Sequence, residues 1–156
     1  MTEPKLDSAG VAVPPPLIYI AGFLVGLTLG RLWPLATIPH RVALTLGLIF
    51  LAAWLATWAA ALPLFARSKT PLSAAKPVAR LITSGIYTVT RNPLYVGWTF
   101  LYLGAAALMS AWWAIALVVP VAVVVDRLVV RREEQYLERR FGDQYRDYKQ
   151  RVRRWL

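Results

Sequence analysis

Residues 42–66, VALTLGLIFLAAWLATWAAALPLFA, run without a single charged side chain. At 1.5 Å of rise per residue, a helix of this length crosses a hydrocarbon core of about 30 Å with some tilt. Lipid offers the backbone no hydrogen-bonding partner, so a chain crossing it alone must be helical. Pro63 removes one i→i−4 bond and is expected to kink or end this helix. Trp54 and Trp58 lie one turn apart on one face, suited to packing or to stacking on a ligand.

The flanks read the same way. Residues 17–33 (LIYIAGFLVGLTLGRLW) form a short span, with Arg31 snorkelling from its end. Gly22, Gly26 and Gly30 make a small-residue stripe that lets another helix come close. Pro34 and Pro39 bracket a tight connection. Residues 94–109 and 111–130 read as a helical hairpin turning at Ser110, with Trp112 and Trp113 at the membrane interface. From residue 126 the chain is densely charged. Leu137, Phe141, Tyr145, Tyr148, Val152 and Trp155 recur there at three- or four-residue spacing, the pattern of an amphipathic helix. Gly142 suits a break, with Asp143 capping a second short helix. The expected fold is an all-α polytopic membrane bundle with four or five transmembrane helices and a C-terminal amphipathic segment. Residues 17–156 form one domain, and residues 1–16 a disordered tail.

Composition narrows the chemistry. Hydrophobic residues make up 58% of the chain and charged ones 17%, against about half and a quarter in soluble domains. There is no cysteine, which excludes thiolate nucleophiles, zinc–thiolate sites and iron–sulfur ligation. His40 is the only histidine, too few parts for a histidine metal cluster or a Ser–His–Asp triad, and no metal is expected. In so apolar a chain the net charge of +10 points to anionic lipid, not nucleic acid.

The same charges set topology. With four spans, all but Arg31 and Arg41 of the 18 lysines and arginines fall on one side, shared by the N-terminus, the 67–93 loop and the tail. The positive-inside rule makes that side cytoplasmic and the protein a multi-pass protein of the cell (inner) membrane. The 80–97 region and the 126–134 region then face each other across a polar pocket. The first holds Ser84-Gly85-Ile86-Tyr87 and the Arg91–Gly97 run, where a helix N-terminus could receive a ligand carboxylate or hydroxyl. A plain membrane-insertion turn, with Arg91 on headgroups, reads equally well. The second holds Asp126, Arg127, Arg131, Arg132, Glu133 and Glu134. Asp126 lies near membrane depth, where ionisable groups are costly and usually functional. Arg127 and Arg131 share a helical face with Glu134 beyond them.

Residue patterns give no reaction, but a resemblance does. The strings LITSGIYTVTRNPLYVGW and REEQYLERRFGDQYRDYKQRVRRWL, separated by a helical hairpin, follow the patterns G-x-Y-x-x-x-R-[HN]-P-x-Y-x-G and E-E-x-x-L-x-x-x-F-G-x-x-Y-x-x-Y. Over residues 78–156 the chain resembles the isoprenylcysteine carboxyl methyltransferase family and, more distantly, phospholipid N-methyltransferases. The resemblance implies transfer of a methyl group from S-adenosyl-L-methionine to a lipophilic acceptor, most simply a carboxylate, arriving from the bilayer. Carried over by position, cofactor contacts fall on Arg80, Leu81, Ile82, Thr83, Tyr87, Asn92, Pro93, Leu94, Tyr95 and Glu133. Asn92 stands where better-known members have histidine, so no histidine base is available there. Val129 stands where eukaryotic members have a substrate-carboxylate arginine, leaving Arg127 or Arg131 as the substrate-orienting candidates. A carboxylate acceptor needs no base, and orientation with desolvation would carry catalysis. An amine would need one, with Tyr87, Tyr95 and Glu134 as the local choices. Phospholipid headgroup N-methylation and a non-catalytic membrane accessory role are the alternatives.

Overall fold

The computed structural model describes residues 9–11, 13–70 and 77–156. Six α-helices follow in order: α1 Pro15–Leu32, α2 His40–Ser68, α3 Pro93–Leu108, α4 Trp112–Val125, α5 Arg131–Phe141 and α6 Asp143–Arg151. A 3-10 turn at Gly85–Thr88 precedes α3. A π-helical turn at Asp126–Val130 joins α4 to α5, so Trp112–Phe141 is one uninterrupted helical rod. The described residues contain no strand, and the chain is a multi-pass helical membrane bundle. Three helices are long and apolar enough to cross a membrane: α1, α2 and the rod that α4 opens. The fourth expected span, α3, has 16 residues, about 24 Å at the α-helical rise.

Packing follows the small residues. The main pairings are α2 on α3 and α1 on α4. Gly47 and Gly104 face one another, each within 3.3 Å of the other's carbonyl oxygen had it a Cβ. A Cβ on Gly26 would lie 2.5 Å from the Ala114 Cα, and one on Gly22 would strike the Val121 side chain. The glycine stripe of α1 is therefore the seam with α4. Gly30 is the looser end, with Trp113 as its nearest neighbour at 3.9 Å. Gly26→Val must push two backbones apart and is expected to cost about 2–3 kcal/mol. Thermal unfolding in detergent checks this, and Gly30→Ala should leave the midpoint unchanged.

Buried tyrosines tie the helices together. The Tyr19 hydroxyl donates to the Tyr95 carbonyl at 3.1 Å, joining α1 to α3. The Tyr102 hydroxyl donates to the Ala114 carbonyl at 2.8 Å, bracing the α3–α4 hairpin. At the far end, the Trp112 and Trp113 indole N–H groups donate to the Ala36 and Trp33 carbonyls.

Several local expectations are revised. Pro63 does not end α2, which continues to Ser68 and stops at Lys69 in a left-handed conformation (φ 49°). Of the expected tail, Pro15 and Pro16 are the first residues of α1, where proline's missing N–H costs nothing. Ala9 is 7% exposed, and the Gly10 carbonyl accepts a bond from Arg132 Nη1 at 3.1 Å. Residues 1–8 and 12 lie outside the described residues, as does Lys76 of the basic loop. The break at Gly142 is present (φ 52°), but Asp143 is the first residue of α6 and makes no capping bond; its carboxylate pairs with Arg146 at 2.6 Å.

Candidate functional site

The loop between α2 and α3 is shaped by a few constraints. Gly85 sits at φ +61°, where a side chain is strained, and even a Cβ would come 3.1 Å from Leu64. The 3-10 turn it starts packs the Tyr87 ring edge-on against Phe65. The chain after α6 then turns back and stitches this loop down. Arg91 N–H donates to the Arg153 carbonyl at 3.0 Å. Thr90 Oγ1 and Asn92 Nδ2 both donate to the Arg154 carbonyl at 3.0 Å. The Tyr148 hydroxyl donates to the Tyr87 carbonyl at 2.7 Å. Pro93 is the first residue of α3, and the Asn92 side chain, committed to Arg154, does not cap it.

These elements enclose a cavity of about 440 Å³ where α1 begins, α2 ends and α3 begins. That is within the range of small-molecule sites. Its apolar wall includes Trp58, Phe65, Leu81, Ile82, Leu94 and Trp98, with Val11 and Pro14–Pro16 across the mouth. Trp58 meets Trp98 edge-on at 5.5 Å and fills the space beside Gly97. Tyr87, Arg91, Asn92, Tyr95, Glu133 and Glu134 supply the polar wall.

The two adjacent glutamates have different surroundings. They lie beyond Val125, the last residue of the uncharged part of the rod. Burial raises the Glu133 carboxyl to about 7; the Tyr95 hydroxyl, which donates to it, opposes that shift, and the charge of Glu134 adds to it. Glu134 is 6% exposed. The Arg154 fork holds it, Nε at 3.1 Å and Nη2 at 2.7 Å, and Arg91 Nη2 reaches it at 3.2 Å. The hydrogen bond to Glu134 raises the Arg154 guanidinium pKa further. Burial, then Glu133, pushes the Tyr87 hydroxyl well above the ordinary phenol range. The Arg91 side chain is 8% exposed, and its Nε and Nη1 have no hydrogen-bonding partner among the described residues.

Of the residues singled out in the sequence, Leu81, Ile82, Tyr87, Asn92, Leu94, Tyr95 and Glu133 meet on this cavity. Pro93 is buried without lining it, and Arg80 and Thr83 are exposed to one side. Arg127 and Arg131 are exposed and outside the lining. Arg131 is held by Asp126 at 2.8 Å. This differs from the expectation that they orient an acceptor: two residues before Glu133 in the same helix, Arg131 points about 160° away from it. Val129 is fully buried in the bundle core. Among the described residues the cation that does line the cavity is Arg91, which the sequence assigned to headgroups or left without a role. Its place inside the first motif was the available signal. Arg154 falls off the apolar period of the tail and at no fixed place in the second pattern, which ends at Tyr148, and gave none. Among the described residues no cluster could hold a metal ion.

A bundle of membrane-crossing helices with a cavity of mixed apolar and polar lining at one end defines a multi-pass membrane protein. The chain belongs to the phospholipid methyltransferase family, which matches residues 40–144. Membrane methyl transfer is that family's activity. The chain is 39% identical over 77 residues to protein-S-isoprenylcysteine O-methyltransferase B of Arabidopsis thaliana, covering 47% of this chain and 37% of that protein. It is 38% identical over 80 residues to protein-S-isoprenylcysteine O-methyltransferase of Mus musculus, covering 46% of this chain and 25% of that protein. The chain thus spans well under half the length of these named relatives. An uncharacterized protein of Haemophilus influenzae is 43% identical over 63 residues, 40% of this chain and 89% of its own. No solved structure matches.

Proposed function

We propose that the protein transfers a methyl group from S-adenosyl-L-methionine to a lipophilic carboxylate at the cytoplasmic surface of the cell membrane. The observation that carries this is the cavity's pairing of Arg91, a cation whose side chain is buried with two unpartnered donors, with Glu133, a half-buried carboxyl. S-adenosylmethionine ends in an α-carboxylate beside an α-ammonium group, and this pair is its complement. Arg91 would take the carboxylate and Glu133 the ammonium, while Tyr87 and the tryptophans offer flat surfaces to the base or the acceptor. When bound, the cofactor supplies a methyl group made electrophilic by a sulfonium charge.

That charge disappears in the transition state, so a carboxylate against sulfur would favour the ground state and slow the reaction. Glu133 therefore serves better on the ammonium. An acceptor carboxylate is already anionic, and the residues need only orient it and exclude water. Trp58, Leu94, Trp98 and the prolines at the mouth make the apolar side on which its tail would lie.

Methylation of a phospholipid amine is the second reading, favoured by Glu133 itself. A carboxyl poised at about 7 is suited to accept an ammonium proton. Glu134 is locked between two arginines and Tyr87 is hard to ionise, so neither is a good base. The test incubates purified protein in lipid nanodiscs with isotope-labelled cofactor and a lipid extract, and identifies the product by mass spectrometry. A base-labile methyl ester is the expected product. Label in phosphatidylethanolamine derivatives would favour the second reading, and no labelled lipid would refute both.

A further inference from the structure

We propose that Arg154, beyond the last fixed position of the second pattern, Tyr148, is a positioning residue that keeps Arg91 open to an anionic ligand by occupying Glu134. The inference rests on the methyl-transfer reading of the cavity. A buried arginine beside a buried carboxylate ordinarily closes on it through two parallel N–H···O bonds. Arg91 does not. It touches Glu134 only through Nη2 at 3.2 Å, leaving Nε and Nη1 unpartnered. The fork that closes on Glu134 is Arg154, through Nε to Oε1 at 3.1 Å and Nη2 to Oε2 at 2.7 Å. Asp126 steadies it from the other side, Oδ1 lying 3.4 Å from Arg154 Nη1. Two guanidinium groups thus compete for one carboxylate. The one bracing it stands outside the lining, and the loser lines the cavity with two donors to spare.

The side-chain role separates cleanly from the backbone one. The Arg154 carbonyl holds Thr90 and Asn92, and substituting the side chain leaves those bonds available. In Arg154→Met the space stays filled, but Glu134 loses its fork and Arg91 swings onto it. A ligand carboxylate then has to compete with Glu134 for Arg91.

Calorimetry in nanodiscs with two probes tests this: S-adenosylhomocysteine, which carries the amino-acid end, and 5′-methylthioadenosine, which lacks it. Arg154→Met is expected to weaken S-adenosylhomocysteine by roughly tenfold or more, the worth of one lost charged hydrogen bond, and to leave methylthioadenosine unchanged. Arg154→Lys, a point charge without a fork, should recover only part of the loss. The double variant Arg154→Met/Glu134→Gln removes the competing charge and should recover most of it. Equal weakening of both probes, or no recovery in the double variant, would reduce Arg154 to a structural prop and overturn the proposal. Unchanged S-adenosylhomocysteine affinity in Arg154→Met overturns it too. Failure of the wild-type protein to bind either probe would instead strike the functional reading, and the inference with it.

Discussion

Arg91→Ala is expected to reduce S-adenosylhomocysteine affinity by about 100-fold, the largest effect of any single substitution in the cavity. A charge-assisted hydrogen bond to the ligand carboxylate is lost, worth about 1.5–3 kcal/mol. The fold should survive, because the Arg91 main-chain N–H still reaches the Arg153 carbonyl and Arg154 still neutralises Glu134. Arg91→Lys keeps the charge but not the planar fork, so it should restore only part of the affinity. Calorimetry of both variants, with helix content followed by circular dichroism, separates loss of ligand from loss of structure. Near-native affinity in Arg91→Ala would remove the central support for the cofactor assignment.

Glu133 comes second and brings a pH dependence of definite sign. Its carboxyl is raised from 4.5 to about 7, chiefly by burial. In the ligand-free protein this opposes folding as pH rises: the group is protonated in both states below 4.5, and above that the unfolded chain ionises first. Stability should therefore fall between pH 4.5 and 7, by on the order of 2 kcal/mol. Glu133→Gln should flatten that decline. Ligand affinity moves the opposite way, because only the carboxylate attracts an ammonium group. S-adenosylhomocysteine should bind about tenfold more tightly at pH 8 than at pH 6, following the ionised fraction of a group of this pKa. In Glu133→Gln binding should be weak and flat with pH. A wild-type affinity that does not change over this range would exclude the ammonium contact.

How far the sequence could be read depended on whether the determining interaction was local. Uncharged runs announced the membrane helices because lipid imposes one rule at every position. The glycine stripe of α1 likewise marked a helix seam, since Gly26 can only be explained by something close. The motif around Tyr87–Tyr95 placed one wall of the cavity. Arg154 was invisible because its partners, Glu134 and Asp126, lie 20 and 28 residues away and no spacing rule links an extended tail to a helix. Arg127 and Arg131 lie outside the lining for a different reason. They share a helical face with Glu134, but ordinary counting already sets Arg131 about 160° round the helix from Glu133.

The wide turn at Asp126–Val130 makes the rod unequally tolerant of small changes in length. A π turn holds one residue more than an α turn over nearly the same rotation, so one residue removed between Asp126 and Val130 would restore the ordinary pitch and leave Glu133 and Glu134 facing Tyr95 and Arg91. One removed from the regular helix on the α4 side would instead swing every side chain downstream by about 100°. The five residues act as a slack link, taking up a surplus residue without turning the acidic pair away.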